Sequence, residues 1–382
     1  MGKTARLFHK IKRIFEKLSL LSPVLIRPTS DSITVSLSKR FLLFQLLNQL
    51  SQKIDEDPRL NFMGFLKTHK IFSTSLNGTV RDFYRDRDAL YFTYFFTYKE
   101  LHLRVKSDIE RVYKINADVK VTIFKDGLVL YDNYKNRQFN ILLLTCHSGS
   151  YLPENIEQKL FLTREQRYKE EDIASDEIYS ELVLKQGGIW IDNKMSRYYC
   201  DLNRSMSKSI YKNRPKKNIM IWKQNLTDEE KENIRQYYRD FYFLLKKLLD
   251  IYKFNVIFDG HTMQDMKGRA NISMGTHFIP KFYLPIVGSI NKKIIYLGYK
   301  SVGINEPYGG GFILEWISTK YPNLFIFSME VNKKLYMTKN RLKIKQKNVS
   351  ALAEDMVDIF DIIEDKKYRL PENKYSKLNE TL

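Results

Sequence analysis

The stretch Phe139-Asn140-Ile141-Leu142-Leu143-Leu144-Thr145-Cys146 is a mostly apolar run with the length of one β-strand. A run without regular polar alternation suits a strand that is buried on both faces, as in a parallel sheet. His147-Ser148-Gly149 follows directly, so polar groups are expected at the carboxyl end of this strand. Open α/β sheets bind their ligands at that edge. The stretch therefore predicts a buried strand with a candidate site behind it.

Further segments of the chain alternate between strand and helix patterns. Apolar runs at 254–258 and 324–331 have the length of buried strands. Apolar residues recur at helical spacing in three places, which are residues 175–186, 227–252 and 348–364. Thr227 and Glu230 form a capping box at the start of the second helix. We therefore predict an α/β fold with a mixed, largely parallel sheet flanked by helices.

The N-terminal part of the sequence is predicted to be a separate α+β extension or small domain of residues 1–115, before a main domain of residues 116–382. Residues 3–21 have the pattern of a basic amphipathic helix. Such a helix is compatible with weak contact to an anionic membrane surface, although it more often packs its apolar face on the protein. The other elements are predicted from pattern alone: a strand at 33–37, a helix at 41–50, a helix in the later part of 84–113, and a hairpin at 119–131 that turns at 125–127.

Composition limits the class of protein. The chain has 382 residues, which is long enough for a large core or two domains. Its net charge is +20. Its two cysteines, Cys146 and Cys200, form no disulfide framework and suit a reducing, cytoplasmic compartment. No apolar run approaches the roughly 18–20 residues that cross a bilayer. We interpret the positive charge as a solvated basic surface with non-specific attraction to polyanions, and expect no specific nucleic-acid partner.

Two of the six histidines, His147 and His261, follow strand-like runs directly. Two such histidines with carboxylates near them in the sequence favour a catalytic zinc site. Such a site uses three protein ligands and leaves the fourth position for water. The metal would activate that water, and a carboxylate would transfer its proton to the leaving nitrogen. An arginine would bind a substrate carboxylate at two points. Residue types alone leave the metal site as one of several readings.

Several motifs, taken in order, resemble the N-formylglutamate amidohydrolase family and, more distantly, aspartoacylase and the zinc carboxypeptidases. The resemblance covers roughly residues 139–340 and depends on the order of the motifs more than on any one of them. The matching pieces are His147-Ser148-Gly149, Ser175-Asp176-Glu177-Ile178-Tyr179, Ser196 to Arg204, Asp259-Gly260-His261-Thr262-Met263, Gly275-Thr276, Pro307-Tyr308-Gly309-Gly310, Ser328 to Asn332 and Leu335-Tyr336-Met337.

The resemblance implies a zinc exopeptidase-like fold and a metal site with His147 and His261 as ligands. The third ligand is left open, with Asp176 preferred over Glu154, because Ser150 stands where carboxypeptidases have a ligating glutamate. Glu330 would be the general base and later the proton donor.

The resemblance also implies a set of residues that handle the substrate. Asn203 and Arg204 would bind its α-carboxylate, and Asp201 would orient their loop. Arg197 would stabilise the negative charge that develops on the carbonyl oxygen.

The activity implied is that of a zinc-dependent amidohydrolase that cleaves an N-acyl amino acid, such as an N-formyl amino acid, or a similar small amide. A carboxypeptidase-like hydrolase and a non-catalytic protein that binds polyanions or membranes are the alternatives. The N-terminal extension has no counterpart in typical members of the family, so the acyl group is left open.

Overall fold

The computed structural model describes residues 124–365, except 125–126, 136–137 and 214–219, and the backbone of six strands before residue 124. The helices predicted at 3–21 and 41–50, and the membrane contact expected of the first, lie outside these described residues. In the part of the chain that the structure describes, none of the helices combines the length and the apolar character that a bilayer span needs.

A nine-stranded mixed sheet forms the centre of the fold. Its strands, in spatial order, are β12 (Val302–Ile304), β11 (Ile272–Gly275), β13 (Ile326–Asn332), β10 (Val256–Met263), β8 (Ile141–Thr145), β9 (Gly188–Asn193), β7 (Leu128–Asn133), β6 (Lys120–Ile123) and β3 (Thr93–Phe95). The four central strands β13, β10, β8 and β9 are parallel. Both β11 and β7 run antiparallel to their central neighbours.

Helices cover both faces of this sheet. They are α1 (Glu154–Glu157), α2 (Arg164–Glu170), α3 (Ser175–Glu181), α4 (Asp228–Ile251), α5 (Leu284–Tyr296), α6 (Phe312–Lys320) and α7 (Gln346–Glu364). One apolar layer packs α3, α5 and α7 on the sheet, and a second packs α1, α4 and α6 on the opposite face. A π-helical turn, Leu182–Gln186, continues α3, and short 3-10 helices lie at Met206–Lys208, Lys281–Tyr283 and Lys333–Leu335. The predicted α/β class is therefore confirmed.

Most predicted elements are close to the observed ones. The side chains of Thr227 and Glu230 form the expected reciprocal hydrogen bonds at the start of α4. Strands β6 and β7 pair as the predicted hairpin. Strand β10 is longer than the run at 254–258, because its last residues continue to pair with β13, and His261 therefore lies within the strand.

The helix expected in the later part of 84–113 is wrong. The chain there forms β3 and a separate hairpin of β4 (Leu101–Val105) and β5 (Ile109–Tyr113). Apolar residues alternate with polar ones along β4, and this alternation is typical of strands. A further hairpin pairs β1 (Leu25–Pro28) with β2 (Ile33–Ser36), where a strand was expected. The domain boundary at 115 stays a prediction, and β3 pairs with β6 across it.

Gly188, at the start of β9, lets β8 and β9 come together at the centre of the sheet. Its φ of +123° lies in the region that side chains rarely adopt. A Cβ atom on it would lie 2.0 Å from the carbonyl oxygen of Ile141. Since that oxygen belongs to the neighbouring strand's backbone, it cannot move aside without separating the strands.

We expect Gly188→Ala to lower the free energy of unfolding by at least about 2 kcal/mol, because strain and a backbone clash add together. Gly288→Ala is the matched control. It adds the same methyl group to the exposed face of α5, where nothing lies within 4 Å, and helix propensity should stabilise it by about 0.5–1 kcal/mol. Urea unfolding of both variants measures the difference, and equal effects would contradict the role of Gly188.

Candidate active site

The carboxyl ends of the four parallel strands meet at one edge of the sheet and carry the polar motifs. His147 lies just after β8, and Asp201 lies in the loop that follows β9. His261 on β10 and Glu330 on β13 are direct neighbours in the pairing of those strands. The topology therefore brings four distant sequence motifs to one place, as parallel sheets do.

A cavity of about 950 Å³ opens at this edge. Its walls include every residue predicted for catalysis and substrate binding, together with both predicted histidines: His147, Arg197, Asp201, Asn203, Arg204, His261 and Glu330. The volume is at the upper end of the range for small-molecule sites, which is roughly 300–1,000 Å³.

Each histidine of the site is held by a carboxylate at its Nε2 atom. Nε2 of His147 lies 2.7 Å from Oδ1 of Asp201. Nε2 of His261 lies 2.8 Å from Oδ2 of Asp259. When these carboxylates accept the Nε2 protons, the Nδ1 atoms are left as lone-pair donors.

Both Nδ1 atoms face the same carboxylate oxygen, Oδ2 of Asp172. The distances are 2.9 Å from His261 and 3.7 Å from His147. Two lone pairs directed at an anionic oxygen repel one another unless a proton or a cation lies between them. The arrangement therefore calls for positive charge at this point.

In the site without a metal, protons supply that charge. Burial lowers the pKa of His147 and of His261, but the surrounding acidic groups, among them Asp172, raise it by more, so both pKa values lie well above the ordinary value. Burial raises the pKa of Asp172, but hydrogen bonds and charges of the two imidazoles lower it by more. The three groups are thus charged together.

The donor set also fits a divalent metal. In a tetrahedral metal site with bonds of about 2.0–2.1 Å, two ligand atoms lie roughly 3.3 Å apart. The distances from Oδ2 of Asp172 to the two Nδ1 atoms, 2.9 and 3.7 Å, lie on either side of that value. Cys146, His147 and His261 form another group whose ligand atoms lie within 4.8 Å of one another. The Cys146 sulfur, however, is 4.0 Å from Nε2 of His261, the atom that Asp259 already holds. We therefore favour Asp172 over Cys146 as the third donor.

The carboxylates expected from the sequence to complete a metal site lie elsewhere. Asp176 is fully buried, and its Oδ2 lies 3.0 Å from Nζ of Lys194. Lys194 also pairs with Asp192, whose Oδ1 accepts hydrogen bonds from Thr145 and Ser148 on either side of His147.

Asp176 thus belongs to a buried ion-pair network that fixes the end of β8. Glu154 is exposed on α1 and accepts a hydrogen bond from Gln158. Neither carboxylate lines the cavity.

The segment that carries Asp172 is fixed by the chain that follows β13. The buried ammonium of Lys333 donates to the carbonyl oxygens of Lys169 and Glu171. The hydroxyl of Tyr336 donates to the carbonyl oxygen of Ile173 at 2.7 Å. These bonds hold the backbone on both sides of Asp172, so the segment that directly follows the strand of Glu330 positions this carboxylate.

Arg197 extends into the cavity from the loop after β9. It donates from Nη2 to Oδ2 of Asp201 and to the hydroxyl of Tyr211, both at 3.0 Å. Its Nη1 lies 3.9 Å from Oδ1 of Asp172. Asp201 therefore contacts both His147 and Arg197.

The side chains of Asn203 and Arg204 differ in how many contacts they make within the protein. The Asn203 amide nitrogen lies 3.2 Å from both Oδ2 of Asp259 and Nε2 of His261, and its oxygen accepts from the backbone of Ile313. Arg204 is about half exposed, and its Nε is 3.8 Å from Oδ2 of Asp201. Arg204 is thus held by fewer contacts within the protein than Asn203.

Glu330 is buried and lines the cavity. Burial raises the pKa of its carboxyl, although the charge of His261 lowers it, and the result is about 7. A carboxyl with a pKa near neutrality can both accept and donate a proton at physiological pH.

Sequence reasoning missed Asp172, Asp259 and Tyr211. Asp259 stands two residues before His261 on the same strand, so both side chains are on one face, and this spacing could have identified it. Asp172 lies in a turn before α3, where periodicity carries no information. Tyr211 lies in an irregular loop with no comparable signal.

The raised pKa of Glu330 predicts that the free energy of unfolding of the metal-free protein falls as the pH rises. Its protonated form is favoured by the fold, so its contribution to stability is lost as pH rises through about 7. We expect Glu330→Gln to be more stable than the wild type at pH 8, by on the order of 2 kcal/mol, with the difference disappearing towards pH 5. Urea unfolding at both pH values measures it, and a constant difference would contradict the raised pKa.

Comparisons with known proteins identify the family. The family model described as N-formylglutamate amidohydrolase matches residues 139–337, which is more than half of the chain. A comparison with curated proteins found no match.

Solved structures with a similar fold include the N-formylglutamate amidohydrolase of Ralstonia eutropha JMP134. It is 18% identical, with a TM-score of 0.53 over 63% of this chain and 98% of that one. A gene product of Agrobacterium tumefaciens is 12% identical, with a TM-score of 0.49 over 62% and 93%. From the family match we conclude that this chain belongs to the N-formylglutamate amidohydrolase family and is a hydrolase that acts on amide bonds.

Proposed function

We propose that the protein is a zinc-dependent amidohydrolase that cleaves an N-acyl amino acid, N-formyl amino acids included. The observation that carries the proposal is the convergence of two histidine Nδ1 atoms on one Asp172 oxygen, beside a buried Glu330. Membership of the family supports a small amide substrate, and the Ralstonia protein's name supports an N-formyl amino acid.

The residues that would hold the metal are His147 and His261 through Nδ1, and Asp172 through its carboxylate. Asp201 and Asp259 would keep the protons of both imidazoles on Nε2. When bound, a zinc ion lowers the pKa of a water and polarises the substrate carbonyl.

Glu330 is the proposed general base. It takes a proton from the attacking water and returns it to the nitrogen of the amide bond that breaks. The products are a carboxylic acid and an amino acid with a free amine. The burial of Glu330 keeps bulk water from competing for that proton.

Arg197 is the proposed stabiliser of the negative charge on the carbonyl oxygen. Asp201 and Tyr211 hold one end of its guanidinium in place, and a preorganised donor contributes more than one that must reorient. Arg204 binds the α-carboxylate with its exposed guanidinium. Asn203 supports this loop through Asp259 and Ile313.

The assignment of Asp172 predicts the metal affinity of three variants. Asp172→Asn should weaken zinc binding by about 100-fold or more, because it removes a charged ligand. Asp176→Asn should keep the affinity while lowering stability, because it breaks a buried ion pair. Glu154→Gln should change neither. Calorimetric zinc titration and circular dichroism separate these effects, and loss of zinc binding in Asp176→Asn alone would restore the sequence-based assignment.

The proposed reaction predicts zinc-dependent release of formate from N-formyl-L-glutamate that a chelator abolishes. Glu330→Gln should lower kcat by about 10²–10⁴-fold while zinc stays bound. Arg204→Gln should mainly raise KM, because it removes a substrate contact that is equal in ground and transition states. Arg235→Gln, a surface change on α4, is the control. Turnover that persists in Glu330→Gln would exclude Glu330 as the base.

A further inference from the structure

Asn203 contacts both carboxylates that hold the histidines of the site. Its backbone N–H donates to Oδ1 of Asp201 at 2.9 Å, and the same oxygen lies 2.7 Å from Nε2 of His147. Its side-chain amide donates to Oδ2 of Asp259 at 3.2 Å, and the same oxygen lies 2.8 Å from Nε2 of His261. Asn203 therefore shares a carboxylate oxygen with each of the two imidazoles.

The orientation of the Asn203 carboxamide is fixed at both ends. Its oxygen accepts a hydrogen bond from the backbone N–H of Ile313 at 3.0 Å, and an N–H group can only donate. Its nitrogen faces the Asp259 carboxylate, which can only accept when it is ionised. A rotated amide would place oxygen against the carboxylate and nitrogen against the N–H, so both contacts would be repulsive. The amide donor is therefore kept on Asp259.

The start of helix α6 provides one of these two ends. Gly311, the residue before the helix, has no side chain that could cap the free N–H groups of the first turn. The side-chain oxygen of Asn203 caps Ile313 instead, although the two residues are 110 positions apart in the sequence. A side-chain cap of this kind typically stabilises a helix by about 1 kcal/mol. The contact thus ties the start of α6 to the carboxylates behind the histidines.

Gly311 leaves the space that the carboxamide occupies. A Cβ atom on Gly311 would lie 2.1–2.3 Å from Oδ1, Nδ2 and Cγ of Asn203. The φ of Gly311 is −107°, which residues other than glycine adopt readily. The backbone of the loop therefore does not require a glycine at this position. The close approach of the Asn203 side chain does.

We propose that Asn203 is a positioning residue for both proposed zinc ligands, and that Gly311 is required to keep its carboxamide in place. The inference rests on the proposed function, in which His147 and His261 bind the metal through Nδ1. By fixing the carboxylate oxygens that hold Nε2 of each ring, Asn203 fixes the direction of both Nδ1 atoms. This role differs from the contact with the substrate's α-carboxylate that the sequence predicts for Asn203, because it acts before any substrate binds.

The first measurement is zinc affinity in the absence of substrate. Full-length wild-type protein is compared with Asn203→Ala, Gly311→Ala and Gly309→Ala by calorimetric zinc titration. Asn203→Ala removes the carboxamide. Gly311→Ala changes no charge and no hydrogen-bonding group, and it displaces the carboxamide by steric contact alone. A residue that only binds substrate would leave these affinities unchanged.

Gly309→Ala is the matched control, because it adds the same methyl group two residues earlier in the same loop. The three atoms nearest to the new Cβ all belong to His277, with Nδ1 at 3.0 Å. The side chain of His277 is exposed and can move away. The control therefore tests whether any added methyl group in the loop disturbs the site.

The second measurement is made on the metal-free protein. NMR of 15N-labelled histidine, at one pH, records the ring N–H resonances of His147 and His261, which His147→Asn and His261→Asn identify. These resonances report the hydrogen bonds from the two rings to Asp201 and Asp259. They are independent of zinc binding and of turnover.

We expect zinc binding to weaken by about tenfold or more in Asn203→Ala and Gly311→Ala, because the loss of a partner behind the ligands typically costs 10–100-fold in metal affinity. The ring N–H resonance of His261 should shift or disappear in the same two variants. Gly309→Ala should agree with the wild type within about twofold in affinity and should leave the resonances unchanged. Gly311→Ala decides the matter if Asn203→Ala does not fold, because it moves only a flexible side chain.

Unchanged ring resonances in Gly311→Ala would overturn the positioning role, and so would an equal effect in Gly309→Ala. Failure of the proposed function has a different signature. A wild-type protein that binds no zinc refutes the zinc site, while the resonances of the metal-free protein still decide the role of Asn203. Tight zinc binding that none of the variants weakens refutes only the positioning role.

Discussion

The contact of the Asp172 carboxylate with the imidazoles of His147 and His261 is the interaction on which the rest of the site depends. All three groups are buried, and an unpaired charge at such a place would cost several kcal/mol. Hydrogen-bond and charge partners around the three groups offset that free-energy cost. Asp201 and Asp259 hold the far nitrogens of the imidazoles, and Arg197 balances part of the negative charge.

The sheet makes this concentration of charge possible. Parallel strands end at one edge, so β8, β10 and β13 deliver His147, His261 and Glu330 without any long loop. The remaining carboxylate comes from a turn, and a turn needs other support. Lys333 and Tyr336 supply it from the segment after β13. Strand β13 thus positions Glu330, and the segment directly after it positions the backbone around Asp172.

The difference between site residues at strand ends and Asp172 in a turn explains which of them the sequence could identify. His147, His261 and Glu330 were recognisable because each belongs to an apolar strand whose end is a known place for ligands. Asp172 was not recognisable, since its place depends on the ammonium of Lys333, far away in the sequence. Asp176 looked like a ligand because it begins a helix near the motifs, but its partner, Lys194, is also remote in sequence. Pattern identified the residues on strands, whereas our proposal of Asp172 in place of Asp176 as the third metal ligand rests on tertiary contacts.

The same reasoning explains why a metal and the fold are expected to depend on each other. Without a metal, protons on His147 and His261 must separate four carboxylates, those of Asp172, Asp201, Asp259 and Glu330. Glu330 then has a pKa of about 7, and its ionisation adds a further buried negative charge. A divalent cation bound at Asp172 would lower the free energy of all these anions at once, and a ligand that binds only the folded state stabilises that state. The repulsion among these buried carboxylates would therefore favour binding of the divalent cation that we propose for catalysis.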